Sequence, residues 1–234
     1  MQFMRTTLAG ALLAVAVAAP SRTFAQDAGD IAAYAALSFT PLGAFVPLPP
    51  PPSGLRGSAF VLRYGSIDIG GELASPLHQF SIGGDFATGR GRLGLTIGGT
   101  TCEDCDGNIM AGLDYTVPLT RNVLSVALRP AFGFSKPLED EGTALSFGVS
   151  LPLGLELSGS TGPSFIPYLV PGIGFGRVSG DEDSESGMRP MLGGGFAIAG
   201  RQSAVAVHLG FQKVFIDDGE TTFGVGFSVG RKAP

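Results

Sequence analysis

Charged side chains stand singly within otherwise apolar or small-residue stretches of this 234-residue chain. Their signs alternate along the chain, which favours ion pairs between neighbouring segments if those segments face one enclosed space. The same residue types could instead line a gated, ion-selective passage or supply carboxylates for acid–base catalysis. The residues are Arg63, Asp85, Arg92, Asp114, Arg129 and Glu156. We expect ion pairs that fill and stiffen the enclosed space.

The two histidines, His78 and His208, are the candidate general bases. His208 lies in the segment SAVAVHLGFQ, on the face that carries small residues, so we expect a hydrated histidine there. A hydrolase would need a nucleophile placed beside such a base. No motif singles out one of the candidate serines, Ser81, Ser146 and Ser150. We therefore expect no enzymatic activity and no cofactor.

Cys102 and Cys105, in TCEDCDGN, are the two cysteines of the chain. A local disulfide is the expected state in a secreted chain, with free thiols or a metal site as alternatives. A zinc site takes four ligands, and no histidine lies near this pair in the sequence. The acidic segment DEDSES also lacks the glycine and spacing of an EF-hand calcium loop. The sequence therefore predicts no metal site.

Residues 143–158, TALSFGVSLPLGLELS, show which elements must position these side chains. Large apolar residues occupy every odd position from Leu145 to Leu157, and small, polar, proline or charged residues occupy the even ones. A strand turns successive side chains to opposite faces, so this period of two gives one apolar face and one nearly bare face. That combination is typical of a narrow barrel whose apolar face meets lipid.

Ten segments with this character predict a closed, antiparallel, up-and-down transmembrane β-barrel, with eight strands as the alternative. Short turns alternate with longer loops that carry most of the acidic residues, as in barrels with short periplasmic turns and long external loops. The predicted strands lie near residues 57–66, 77–87, 91–100, 108–119, 122–135, 143–158, 164–178, 189–199, 203–216 and 221–230.

The segments before the barrel have a different composition. Residues 1–25 resemble a secretory signal, with Arg5, an apolar run and a small-residue cleavage site. Residues 26–55 are rich in proline, which predicts a stiff tether, or alternatively a lumen plug or docking segment. Residues 56–234 are assigned to the barrel. Only 15% of the chain is charged, against about 25% in ordinary soluble domains, and a formal net charge of −5 argues against nucleic-acid binding.

The last predicted strand carries the most specific motif. Thr222, Gly224, Phe227 and Val229 fit the polar–x–Gly–x–x–apolar–x–apolar signal of small bacterial outer-membrane β-barrel proteins. Over about residues 56–230 the chain resembles this broad group of opacity-protein and OmpA/OmpX-like barrels. The resemblance implies recognition by the barrel assembly machinery and an outer-membrane location with periplasmic termini and extracellular acidic loops. The chain departs from the pattern in residues 230–234, because such proteins often end at an aromatic residue.

Three classes of function fit these features. The first is a non-enzymatic outer-membrane barrel, structural or a narrow passive channel, with a charge-paired lumen and with membrane lipid and lipopolysaccharide as its surroundings. The second is a surface adhesin or ligand-binding barrel that acts through its acidic loops. The third, a membrane-embedded enzyme, lacks a nucleophile–base pair in the sequence.

Overall fold

The structure, a computed structural model, describes nine ranges of the chain: 58–67, 77–101, 107–121, 123–138, 142–158, 163–180, 184–200, 205–215 and 221–230. The predicted signal and tether lie outside these ranges, as do Cys102, Cys105 and most of the acidic loop residues. The predictions made for those segments stay predictions.

Nearly all of the described chain is β-strand, because apolar and small residues alternate with a period of two. The segments are β1 (Ala59–Ile67), β2 (Leu77–Thr88), β3 (Gly91–Thr101), β4 (Asn108–Arg121), β5 (Leu124–Pro137), β6 (Thr143–Ser150), β7 (Leu153–Leu155), β8 (Leu157–Ser158), β9 (Ser164–Ser179), β10 (Ser184–Ala199), β11 (Val205–Val214) and β12 (Thr221–Gly230). No helix in the described ranges is long and apolar enough to cross a membrane.

Antiparallel pairing closes these strands into a ring. The first strand, β1, pairs with β2 on one side and with β12 on the other. On the opposite side of the ring, β9 pairs with β10 and with β6, β7 and β8 in turn. When β6, β7 and β8 are counted as one strand, ten strands form a closed up-and-down barrel. The predicted fold and the favoured strand number are confirmed, and closure leaves no unpaired sheet edge among the described strands.

The segments β6, β7 and β8 are one strand in continuous register. Ser150 faces Gly172 of β9, and Leu153, three residues later, faces Leu169, three residues earlier. Pro152 interrupts the ladder because it has no N–H to donate, but its carbonyl still accepts a hydrogen bond from Ala127 N at 2.9 Å. The predicted strand 143–158 is therefore confirmed across its proline.

All but one of the strand boundaries lie within two residues of the prediction, and two departures have a clear cause. Residues 120 and 121 lie between the predicted strands 108–119 and 122–135, but they continue β4 beyond a register shift between Pro118 and Thr120. The Thr120 hydroxyl holds this irregular end together, since it donates to Leu124 O at 2.8 Å and accepts from Val126 N at 3.0 Å. The strand predicted at 189–199 begins five residues earlier, at Ser184, because the polar residues there pair with β9.

The two faces of the barrel have opposite character. Large apolar side chains point outward, among them Leu95 at 46% and Ile97 at 63% exposure. On the same strand, Arg92, Thr96 and Thr100 point inward and are buried. A water-soluble sheet would reverse this arrangement, whereas a barrel surrounded by lipid requires it.

Candidate functional site: the charged layer in the lumen

Side chains fill the interior of the barrel. Inward residues on four different strands are almost inaccessible: Gln79 is 0%, Ile166 1%, Ser146 1% and Ser135 2% exposed. A wide aqueous channel would leave inward side chains exposed to water. The lumen is therefore packed, and its charged groups must find partners within it because an isolated buried charge is costly.

The first luminal ion pair joins neighbouring strands β2 and β3. Arg92 Nε donates to Asp85 Oδ2 at 2.7 Å, and the side chains are 10% and 20% exposed. The short distance and partial burial make this a charge-assisted hydrogen bond rather than a screened surface contact. The sequence had allowed Asp85 to pair with either Arg63 or Arg92, and the structure selects Arg92.

The second pair joins β4 and β5 through a hydroxyl. Arg129 Nε lies 3.7 Å from Asp114 Oδ1 and donates a shorter hydrogen bond, 2.9 Å, to Thr116 Oγ1. Thr116 in turn donates to Asp114 Oδ1 at 3.4 Å. Thr116 therefore links the arginine to the carboxylate. It points inward two residues beyond Asp114, so strand alternation alone could have identified it.

A glycine makes room for the second carboxylate. Gly94 lies between Asp85 and Asp114 in the register, one on each neighbouring strand. The Asp114 carboxylate occupies the space that a Cβ at position 94 would take. Position 94 therefore needs a glycine because the Asp114 carboxylate approaches its backbone closely, and not because of its backbone conformation.

Replacing this glycine gives a direct test of the packed layer. Gly94→Ala should displace the Asp114 carboxylate and destabilise the barrel by about 1–3 kcal/mol, the usual cost of overpacking. The control is Gly142→Ala, where the added Cβ meets only Ser179 O at 3.5 Å. Urea titration of both variants measures the difference. The effect of Gly94→Ala should shrink in an Asp114→Ala background, and an undiminished effect would contradict this placement.

Arg63 lies in the same layer without an ion-pair partner among the described residues. Its Nε is buried and has no hydrogen-bond partner there. It lines a cavity of about 10 Å³ together with Asp85, Asp114, Thr116 and Arg129. Arg92 does not line the cavity but is bonded to Asp85, which does. The described part of this layer therefore contains three guanidinium groups and two carboxylates.

The other predicted luminal residues lie inside the barrel but apart from these two pairs. Glu156 accepts a hydrogen bond from Ser164 Oγ at 3.2 Å. His208 is 5% exposed, and its register partner Gly226 is also the partner of Arg63, so a glycine separates the two. His208 is thus a buried luminal histidine.

Two further inward residues were not among the predicted luminal residues. Tyr168 on β9 is 6% exposed and lies between Gly154 and Gly195 in the register, where the two small residues leave room for its ring. Arg189 points inward from β10. Tyr168 lay within a predicted strand, so its parity marked it as inward. Arg189 was the first residue of the predicted strand 189–199, so the alternation before it was not used to assign its side chain to a face.

The second histidine does not face the lumen. His78 lies on the outer face, where its Nδ1 is 2.8 Å from Tyr64 Oη and its ring stacks on that tyrosine. Within the described ranges, no group of three or more His, Cys, Asp or Glu residues could hold a metal ion. The assembly-signal residues Thr222, Gly224, Phe227 and Val229 all belong to β12, and Val229 is 41% exposed.

A larger depression, of about 900 Å³, is lined by Arg63 but by none of the residues of the two ion pairs. It is lined largely by outward apolar residues, including Phe80, Ile97, Ile109 and Phe134, with the small Gly99 and Ala111 between them. Its apolar lining suits contact with acyl chains rather than polar chemistry. We therefore take the luminal layer as the candidate site.

Solved structures, rather than family models or curated proteins, match this chain. No protein-family model matches the chain, and no curated protein matches it. Among solved structures, LpxR from Salmonella typhimurium is 10% identical, with a TM-score of 0.42 over 75% of this chain and 100% of that chain. Ail, the attachment invasion locus protein of Yersinia pestis, is 14% identical, with a TM-score of 0.33 over 74% and 99%. The N-terminal β-barrel domain of Pseudomonas aeruginosa OprF is 11% identical, with a TM-score of 0.30 over 75% and 97%.

Proposed function

We propose that this protein is a non-enzymatic, structural barrel of the bacterial outer membrane whose lumen is closed by a layer of ion pairs. The packed interior carries the proposal, since inward side chains such as Gln79 and Ile166 are inaccessible to water. The Asp85–Arg92 and Asp114–Arg129 pairs cross-link adjacent strands within this interior. A closed lumen of this kind suits a membrane-anchored scaffold better than an open pore.

The outer face supports the membrane part of the proposal. Large apolar residues are exposed around the ring, including Phe60, Leu113, Phe147, Phe175 and Leu209. Outer-membrane lipid and lipopolysaccharide are the surroundings we propose for this face. Insertion would depend on the barrel assembly machinery reading β12, with the termini in the periplasm and the acidic loops outside.

Single-channel recording on the purified, full-length barrel tests the closed lumen. The parent should show no steady conductance in a planar bilayer. Asp114→Ala should produce conducting events and a lower unfolding temperature, because it removes the carboxylate that pairs with Arg129 and leaves the layer with three guanidinium groups and one carboxylate. The exposed turn variant Arg90→Ala is the control and should remain silent. Steady conductance of the parent would overturn the closed structural barrel and favour a narrow passive channel.

A further inference from the structure

We propose that the lumen binds a small monatomic anion, of the chloride type, beside Arg63. The inference starts from the charges around the luminal cavity. Asp85 accepts from Arg92, and Asp114 is held by Thr116 and Arg129. Both carboxylates are thus engaged with other partners. Arg63 supplies a positive charge that no ion pair within the described ranges balances.

The missing hydrogen bond of Arg63 also favours an anion at this position. Its Nε is buried without a protein acceptor among the described residues. A buried guanidinium donor that loses water and gains no acceptor is strongly unfavourable. A water molecule would satisfy the hydrogen bond but would leave the charge unbalanced. An anion would accept the hydrogen bond from Arg63 and would also balance its charge.

The size of the cavity limits the class of ligand. Its volume is about 10 Å³, which is close to the space needed by one water-sized particle. Phosphate, sulfate and carboxylate ligands are too large for it. Thr96 also lines the cavity, and its hydroxyl can donate to an anion, whereas the single hydroxyl proton of Thr116 is already donated to Asp114. The two carboxylates that line the cavity are held by Arg92, Thr116 and Arg129. The donors left for a single halide ion are therefore the Arg63 guanidinium and the Thr96 hydroxyl.

The test measures stability against chloride at constant ionic strength. Full-length barrel is unfolded by urea in buffers where sodium gluconate is progressively replaced by sodium chloride. A ligand that binds only the folded state raises the unfolding midpoint as its concentration increases and exceeds its dissociation constant. The parent should show this rise. Arg63→Gln, which keeps an N–H donor but removes the charge, should lose it.

Controls separate a specific site from general salt effects. Arg90→Gln removes an exposed cation from the β2–β3 turn and should retain the full chloride-dependent rise. Crystals of the parent soaked in bromide should show anomalous scattering beside Arg63. A chloride-independent midpoint in the parent, or an equal rise in Arg63→Gln, would overturn the proposal. A bromide-free cavity would show that the space holds water alone, which overturns it as well. None of these results depends on whether the barrel conducts.

Discussion

Breaking the Asp85–Arg92 pair should be among the most damaging single changes in the barrel. Asp85→Ala should lower the free energy of unfolding by about 3–5 kcal/mol, because it removes the carboxylate that pairs with the 10%-exposed, charged Arg92 side chain. Arg92→Ala should also destabilise the barrel. The double variant should be less damaging than the sum of the two, by about 0.5–3 kcal/mol, since its second substitution removes the orphaned charge.

Urea titration in lipid vesicles followed by circular dichroism measures this cycle, because the chain has no tryptophan to serve as a fluorescence probe. Arg90→Ala is a matched control, since Arg90 is exposed and only two residues from Arg92. It should change the unfolding free energy by no more than about 0.5 kcal/mol. Small, additive effects of Asp85→Ala and Arg92→Ala would mean that the two groups are separately hydrated in an open lumen.

An arginine on the middle of the outer face should oppose insertion. Leu113 is 45% exposed and lies between Leu95 and Phe132 in the register, six residues into the fourteen-residue strand β4. Leu113→Arg should cost about 2–4 kcal/mol of folding free energy in lipid, the cost of arginine near the bilayer midplane.

The matched control for this variant is Leu138→Arg. Leu138 is 64% exposed and follows the last residue of β5, so its arginine can reach the aqueous boundary at about 0–1 kcal/mol. Folding yield in vesicles and unfolding free energy report the difference. Equal losses for the two variants would show that the exposed apolar face is not buried in lipid.

The sequence by itself determined which side chains face inward. Side-chain alternation is a local consequence of strand geometry, so the apolar odd positions of residues 143–158 assigned the outer face before any pairing was known. Leu145, Phe147, Leu155 and Leu157 are all exposed there. The same parity assigned the luminal charges to the inner face, where Asp85 pairs with Arg92 and Asp114 with Arg129. It would also have placed Tyr168, whose partner glycines became visible only with the register.

The tertiary structure decided which inward residues meet. Sliding one strand by two residues keeps every side chain on its face but changes every cross-strand partner, so alternation cannot fix a pair. The closed register opposes Arg63 to Ser81 and Gly226. Asp85 is bonded instead to Arg92. Pairing between β1 and β12 closes the ten strands into a barrel. Side-chain packing across the lumen places Arg63 beside a cavity that no sequence pattern had indicated. Those features depend on contacts between distant segments, which is why only the folded barrel revealed them.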